Sequence, residues 1–350
     1  MMGVFVGLSV SGRILLNAEA LNMAESVGNV TRHRKAPVVL KTNQGFRVVY
    51  VPAISGESLA HAYQSHLADV AKEMGLPVCK CCEQKVFIKS NDSKMATQCG
   101  HSIDVKAKNV SQIDIERKIV EECVVEDVGG FLFTDKAVKR TSRFRVGYML
   151  PTLDSLREGA FGSEPEIHVR FAGAQQEEGQ ILYYVEVGSA LYNFNFSLDV
   201  SEIGKLSSEN ADLGKAPGEL PAEERLRRAE AAVVALKRFL GTMLFGAKRT
   251  RFNPVWDVYS LQAVVTTLPF EATPGNDKDY VKDTVERLCS LGVKAWVFYF
   301  DKEDKKDKED KEGVEELKGC DAVSVEKVGS YLEAVSKAGE KALELLKGAK

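Results

Sequence analysis

The sequence lacks any uncharged apolar run of about 18 residues, the length that a helix needs to cross a bilayer. Its first ten residues carry neither a basic region nor a small-residue cleavage site, which are the marks of a secretory leader. We therefore expect a cytoplasmic protein with no membrane partner. With 350 residues and 44% hydrophobic content, the chain can bury a large core.

The sequence is also poor in the residues and motifs of catalysis. It has five histidines, and none shows the spacing of a metal hydrolase. There is no nucleophile elbow and no dinucleotide fingerprint. Residues 246–251 begin with a glycine and are basic, but they lack the Gly-Lys-Ser/Thr ending of a phosphate-binding loop, so they do not indicate an NTPase. We expect a protein that is not an enzyme and requires no cofactor.

Cysteine is present in an odd number, seven, which does not suit a secreted disulfide framework and favours a reducing compartment. Four cysteines crowd into one short segment: Cys79, Cys81, Cys82 and Cys99. Two chelating pairs are one interpretation, in which Cys79, Cys82, Cys99 and His101 hold a structural zinc and Cys81 is spare. Such a site is closed, so it would support the fold and not catalyse a reaction.

Charge is unevenly distributed along the chain, although the net charge is only −3. Residues 301–318 are almost wholly Asp, Glu and Lys, which predicts a solvated charged loop. Bases cluster at 32–35, 139–145 and 248–251. Any one of these clusters is explained equally well by a solvated surface. Together they favour a nucleic-acid partner.

Hydrophobic periodicity predicts an α+β fold with an antiparallel sheet and helices on one face. The predicted strands are 4–16, 46–51 and 293–300, with a hairpin of 182–187 and 191–198 about Gly188 and Ser189. The predicted helices start at Ser55-Gly56 and at Pro221, and a last one covers about 325–346. Residues 206–221 are interpreted as a flexible linker or loop.

Four segments have the composition of RNA-binding elements, because arginine forks and glycine backbones suit phosphates. The first is the basic loop 22–35, and the second is the start of a helix, where free N–H groups bind anions. An ordinary surface loop and an ordinary N-cap explain these two as well. The third is a pair of strands with cations on one face, and the fourth is a basic turn. The candidate residues are Asn22, Ser26, Asn29, Arg32, His33, Arg34, Ser55, Gly56, Ser58, His61, Arg140, Arg143, His168, Arg170, Lys248, Arg249 and Arg251.

Taken together, these segments resemble the CRISPR Cascade backbone-subunit family ("Cas seven") in its archaeal type I-A branch. The matching stretches are 11–22 (SGRILLNAEALN), 25–29 (ESVGN) with 32–34 (RHR), 52–61 (PAISGESLAH), 127–131 (DVGGF), 140–143 (RTSR), 168–171 (HVRF), 189–192 (SALY) and 248–251 (KRTR). They cover the chain from end to end except the charged tail. The cysteine cluster is not part of this pattern.

The resemblance implies a single elaborated domain over 1–350 with a modified RNA-recognition-motif core, ferredoxin-like and shaped like a hand. Insertions would occupy about 77–128 and part of 129–180, where a thumb hairpin would protrude. Copies of the protein would stack into a helical filament along one crRNA, beside other Cascade subunits. Target DNA would then pair with the guide in short segments.

Two other functions remain open from the sequence. The first is a crRNA-processing endoribonuclease in which His168 or His61 acts as a general base. The second is an interaction protein supported by zinc, with no nucleic-acid role.

Overall fold

The computed structural model describes residues 5–103, 110–171, 180–302 and 317–348, without the side chains of residues 170, 171, 180 and 181. Most of the charged loop predicted at 301–318 lies outside the described residues. None of the described helices is long and apolar enough to cross a membrane.

Fourteen strands are present in the described part of the chain. They are β1 (Gly7–Glu19), β2 (Met23–Val27), β3 (Val30–His33), β4 (Lys35–Thr42), β5 (Gly45–Pro52), β6 (Phe131–Phe133), β7 (Val138–Arg140), β8 (Phe144–Val146), β9 (Leu150–Pro151), β10 (Phe161–Phe171), β11 (Gln180–Asp199), β12 (Val255–Thr266), β13 (Ala295–Asp301) and β14 (Val323–Lys327).

Nine α-helices accompany these strands over the same residues. They are α1 (Gly56–Glu73), α2 (Lys80–Glu83), α3 (Ser93–Cys99), α4 (Gln112–Glu122), α5 (Val124–Gly129), α6 (Leu153–Glu158), α7 (Ala222–Thr242), α8 (Tyr280–Leu291) and α9 (Tyr331–Gly348). Ser55 caps α1, as the sequence predicts, and Pro221 directly precedes α7.

The centre of the fold is a ten-stranded, mostly antiparallel sheet in the order β14-β13-β12-β1-β11-β3-β2. Strands β8, β9 and β10 pair with β11 as well, and β4–β5 and β6–β7 form two separate two-stranded sheets. The mixed α+β class predicted from the sequence is confirmed.

Helices cover both faces of the sheet, which differs from the prediction of helices on one face. Alternate residues of β12 point to opposite sides. Ala263 and Val265 belong to the main core with helices α1, α7 and α9, whereas Val264 packs in a second core with Val281 and Leu288 of α8. Helix α8 therefore closes the side that the prediction left open.

The predicted hairpin about Gly188 and Ser189 is wrong, because β11 runs through both residues without a turn. A Cβ on Gly188 would lie 2.8 Å from the Glu19 carboxylate and 3.1 Å from Pro52. The glycine therefore permits a close approach of other segments and does not make a turn. The true partner of the outer half of β11 is β10, from Phe161↔Ala190 to Phe171↔Gln180.

The connection at 206–221 is a packed loop and not a flexible linker. Leu206 and Leu220 are buried in a core with Phe131 and Phe133. Asn210 Nδ2 donates to Glu116 Oε2 at 2.7 Å. These contacts fasten both ends and the middle of the loop to the body of the protein.

Two hairpins expose an apolar face. On β4–β5, Val39, Phe46, Val48 and Tyr50 are 57–75% exposed. On β10–β11, Ile167, Val169 and Leu182 are about half exposed. Exposed apolar faces of this kind are typical of contact surfaces.

Candidate nucleic-acid interface

Three of the segments predicted to bind RNA meet at the end of β1. The carbonyl of Asn22 accepts the N–H of Arg34 at 2.8 Å, and Asn22 Oδ1 accepts the N–H of Ser55 at 2.9 Å. The N–H of Ala247 donates to the carbonyl of Leu21 at 2.8 Å. Two adjacent residues thus join the basic loop, the start of α1 and the basic turn after α7.

A depression of about 440 Å³ lies at this junction. Its lining includes Asn22, Ser58, His61 and Ala247. The next residue, Lys248, is exposed and takes part in no ion pair among the described residues. The α1 side of the depression is therefore polar and includes Asp69, an acid, and the α7 side is followed in the chain by a cation.

Arg34 is the most unusual cation here. It is half-buried, and its Nε is buried without a hydrogen-bond partner. No carboxylate of the described segments forms a salt bridge with it. A guanidinium fork without a partner is suited to a phosphate. We call Arg34, Lys248 and Arg251, with Asn22, Ser58 and His61, the basic surface.

Arg251 extends this surface toward the β10–β11 hairpin. Its Nη1 donates to the hydroxyl of Tyr183 at 2.9 Å. The His168 ring stacks on Tyr183 with centroids 5.2 Å apart, and the edge of Phe252 completes the group. Sequence reasoning missed Tyr183 and Phe252, although an aromatic residue directly after a basic motif is a usable signal for base stacking.

His168 does not lie on an exposed polar face, as its strand pattern predicted. It is half-buried between aromatic rings, and its Nε2 is buried without a partner, while Ile167 and Val169 point outward. The side chain of Arg170 lies outside the described residues.

Arg32 lies on the opposite side of the β11–β3 pair from Arg251. The register pairs Tyr184 with Val30, so Arg32 shares a face with Tyr184 and not with Tyr183. It is exposed, with Nη1 3.6 Å from Glu25 Oε1. Ser26 and Asn29 are also exposed on this small sheet. The basic loop thus presents polar groups on two faces.

The start of α1 is already satisfied, so the prediction of an open anion site there is wrong. Ser55 is only 3% exposed, and its Oγ accepts the N–H of Ser58 at 3.4 Å. The backbone N–H of Glu57 and the Ser55 hydroxyl lower the pKa of the Glu57 carboxyl, and Arg34 adds to this effect. An anion already occupies the helix terminus.

Gly56 also has a structural role. A Cβ at this position would lie 2.7 Å from the carbonyl oxygen of Val146, so only glycine lets α1 approach β8 so closely. Gly56 positions Ser58 and His61 at the depression but offers no side chain to RNA.

The His33 side chain is buried, which differs from the prediction of a cation on the surface. Its Nε2 lies 2.6 Å from Glu19 Oε1, and both side chains are fully buried. Glu186 Oε2 accepts the His33 N–H at 3.0 Å, and Lys35 pairs with Glu186 at 2.6 Å. Burial lowers the pKa of His33, but hydrogen bonding and charge from Glu19 outweigh burial and raise it above 6.5.

This shift predicts a pH-dependent stability. Because the folded pKa is raised, the His33–Glu19 pair stabilises the protein fully below about pH 6.5, and this stabilisation is lost as pH rises through the folded pKa. We expect the difference in unfolding free energy between the wild type and His33→Gln to shrink from about pH 6 to pH 9. Urea unfolding of both proteins measures it. A constant difference would mean that His33 is neutral.

The Arg140 side chain is also buried and not on the surface where the prediction placed it. Its guanidinium pairs with Glu116 Oε1 at 2.7 Å and with Asp127, and donates to the carbonyl of Lys205 at 2.8 Å. Arg228 pairs with the other oxygen of Asp127 at 2.9 Å. We call Glu116, Asp127, Arg140 and Arg228 the buried charge network.

Two further predicted cations hold loops in place. Arg143 is largely buried, which lowers its pKa, and its Nη2 donates to the carbonyl of Lys205 at 3.1 Å. Arg249 folds back on its own turn and donates to the carbonyl of Met243 and to Asn253 Oδ1, both at 2.6 Å. The Arg249 guanidinium is thus engaged by oxygens of the protein itself, whereas Arg143 also has a buried Nε without a hydrogen-bond partner.

The predicted zinc ligands are wrong at two positions. Cys99 forms a disulfide with Cys81, and a second disulfide joins Cys289 and Cys320. The sequence analysis predicted neither bond. Both ring nitrogens of His101 face carboxylates, with Nδ1 2.9 Å from Glu122 and Nε2 3.2 Å from Glu126.

Comparisons with known proteins agree on one family. A family model described as "CRISPR-associated negative auto-regulator DevR/Csa2" matches residues 10–285. The chain is 41% identical over 283 residues to the CRISPR-associated aCascade subunit Cas7/Csa2 2 of Saccharolobus solfataricus, covering 80% of this chain and 86% of that protein. A second protein of this organism, Cas7/Csa2 1, is 35% identical over 311 residues, or 85% and 93% of the two chains.

A solved structure shares the fold. It is titled "CRISPR RNA-guided surveillance complex, pre-nicking", and the similarity covers 97% of this chain and 99% of that chain. The TM-score is 0.50 at 10% sequence identity.

Proposed function

Because this chain belongs to the DevR/Csa2 family of CRISPR-associated proteins, we propose that it is a non-catalytic backbone subunit of a type I-A CRISPR interference complex. It binds crRNA along the basic surface and presents the guide for pairing with target DNA. The hydrogen bonds that join the segments of Arg34, Ser55 and Ala247 to Leu21 and Asn22 carry the proposal, because they bring three basic or polar segments to one place.

The chemistry is phosphate neutralisation. Arg34 and Lys248 form no salt bridge among the described residues, so they can exchange water and counterions for phosphate oxygens. Tyr183 and Phe252 offer ring faces beside Arg251. None of these groups reads base identity, so the guide sequence stays free for pairing.

Assembly along the RNA follows from the same proposal. Copies of the chain stack into a helical filament and bind other Cascade subunits. The apolar face of β4–β5, with Phe46 and Tyr50 about three-quarters exposed, is available to a second copy. We further propose that the sheet is a modified RNA-recognition-motif core and that the β10–β11 hairpin is the thumb.

The purified chain is expected to bind single-stranded RNAs of unrelated sequence with similar affinity. Binding should weaken with salt, with log K falling by roughly 0.7 per neutralised phosphate for each unit of log salt. Fluorescence anisotropy at several salt concentrations measures the slope. Co-purification with short RNAs of uniform length would add support, whereas salt-independent affinity would contradict the electrostatic mechanism.

The same samples test the non-catalytic part of the proposal. His168 stacks on Tyr183 and contacts Phe252 edge-on, and its Nε2 has no hydrogen-bond partner, so no described contact makes it a base. Specific metal-free cleavage of repeat RNA that is abolished by His168→Ala would establish an endoribonuclease instead.

A further inference from the structure

Three cysteines that form no disulfide lie close to one another and to a carboxylate. Cys79 directly precedes α2, Cys82 lies in α2, and Cys123 lies between α4 and α5. Together with Glu126 of α5 they form a fully buried group whose four ligand atoms all lie within 4.8 Å of one another. All three cysteines are free thiols. Three sulfurs and one oxygen at this spacing suit a tetrahedral metal ion.

Glu126 is oriented as a ligand would be. Its Oε1 is held by Ser90 Oγ at 3.0 Å and by His101 Nε2 at 3.2 Å, and the Cys79 thiol lies 3.5 Å away. Its Oε2 is buried and has no hydrogen-bond partner. A buried carboxylate oxygen without a partner is costly. A cation bound by the cluster would offset the charge of this carboxylate.

The groups around the cluster can balance the charge of a bound metal. A zinc ion with three thiolates and one carboxylate leaves two net negative charges. His101 lies between Glu122 and Glu126, so its ring orients both carboxylates. Lys89 places an amine nearby, with Nζ donating to the carbonyl of Gly129 at 2.6 Å. Such outer groups orient ligands and tune the metal.

We propose that Cys79, Cys82, Cys123 and Glu126 bind one structural zinc ion, with His101 as a positioning residue. Zinc prefers thiolates, and four protein ligands leave no open position for catalysis. The ion fastens α2 to the junction of α4 and α5, so the inserted segment 77–128 is anchored to the core that holds α1. Binding releases the thiol protons. The inference is independent of RNA binding.

Metal analysis of the full-length chain, purified with a phosphine reductant and supplied with zinc, tests this site. We expect about one zinc per chain and a thiolate–metal charge-transfer band when cobalt replaces zinc. Cys123→Ser should lose the metal, and Glu126→Gln should weaken binding. His101→Gln should weaken it about 10–100-fold, as expected for an outer group.

The matched control is Cys99→Ser, which removes a neighbouring cysteine of the disulfide and should keep the zinc. If Cys123→Ser does not fold, cobalt titration and chelator-dependent melting of the wild type decide the matter, since a bound ion stabilises the fold. Zinc lost in Cys99→Ser but kept in Cys123→Ser would overturn the ligand set. A wild-type chain with neither stoichiometric zinc nor a cobalt–thiolate band would overturn the site.

Discussion

Replacing Arg140 with alanine is expected to lower the free energy of unfolding by about 3–5 kcal/mol. The side chain is fully buried and neutralises Glu116 and Asp127, which are fully buried as well. Its removal leaves a carboxylate in the interior without its partner, and that uncompensated charge is the source of the large effect. Denaturant unfolding of the two proteins measures the difference.

The control is Arg145→Ala, five residues along the chain. Arg145 is 46% exposed and pairs with Asp199 and Glu271 at the surface, so we expect a loss of roughly 1 kcal/mol or less. If Arg140→Ala keeps its stability while RNA affinity falls, the residue is an RNA contact and the buried charge network has been misinterpreted.

The triple replacement Arg34→Ala, Lys248→Ala and Arg251→Ala is expected to give the largest loss of RNA affinity. Each side chain that neutralises a phosphate contributes roughly 0.7 to the slope of log K against log salt, so the slope should fall by about 2. Anisotropy titrations with one single-stranded RNA at several salt concentrations measure both affinity and slope.

A matched triple variant separates position from net charge. Arg157, Lys215 and Arg238 are surface cations, each paired with an acid, and their replacement by alanine removes the same three charges. We expect a small change in affinity and an unchanged slope. Equal losses in both variants would mean that RNA responds to overall charge and not to the basic surface.

Much of the fold could be predicted from local patterns. The alternation of Val6, Leu8 and Val10 with Ser9 and Ser11 predicts β1, and the structure buries the first three in the main core. Helical periodicity after Ser55 and after Pro221 predicts α1 and α7. These elements follow from side-chain spacing alone, because each buries one face.

The sequence predictions fail where contacts between residues far apart in the sequence determine the local structure. Gly188 suggests a turn, yet its neighbours Glu19 and Pro52 lie far away in sequence, and they explain why no side chain fits. The alternation of β10 predicts His168 on a polar surface, but Phe252, on another segment, packs against its ring. Local sequence does not reveal which face another segment will cover.

The candidate RNA-binding residues likewise divide into features that the local sequence predicts and features that depend on contacts with distant segments. Sequence reveals where the bases cluster but not which acids fold against them. His33 meets Glu19, and Arg140 meets Glu116, so both leave the surface. Arg34 meets no acid at pairing distance in the described structure and stays a candidate. The cysteine spacing likewise predicts a metal site, but it gives Cys99 as a ligand in place of Cys123. Nothing in the local sequence distinguishes the two cysteines.

The uninterrupted course of β11 has a mechanical consequence. Its 20 residues extend roughly 66 Å at the rise of an ordinary strand. Its inner half is hydrogen-bonded to β1 from Leu191 to Asp199, and its outer half carries the β10 hairpin. Because one continuous strand forms both halves, no loop interrupts the backbone between them. A displacement of the outer half of β11, with β10 paired to it, is therefore transmitted along the strand into the central sheet.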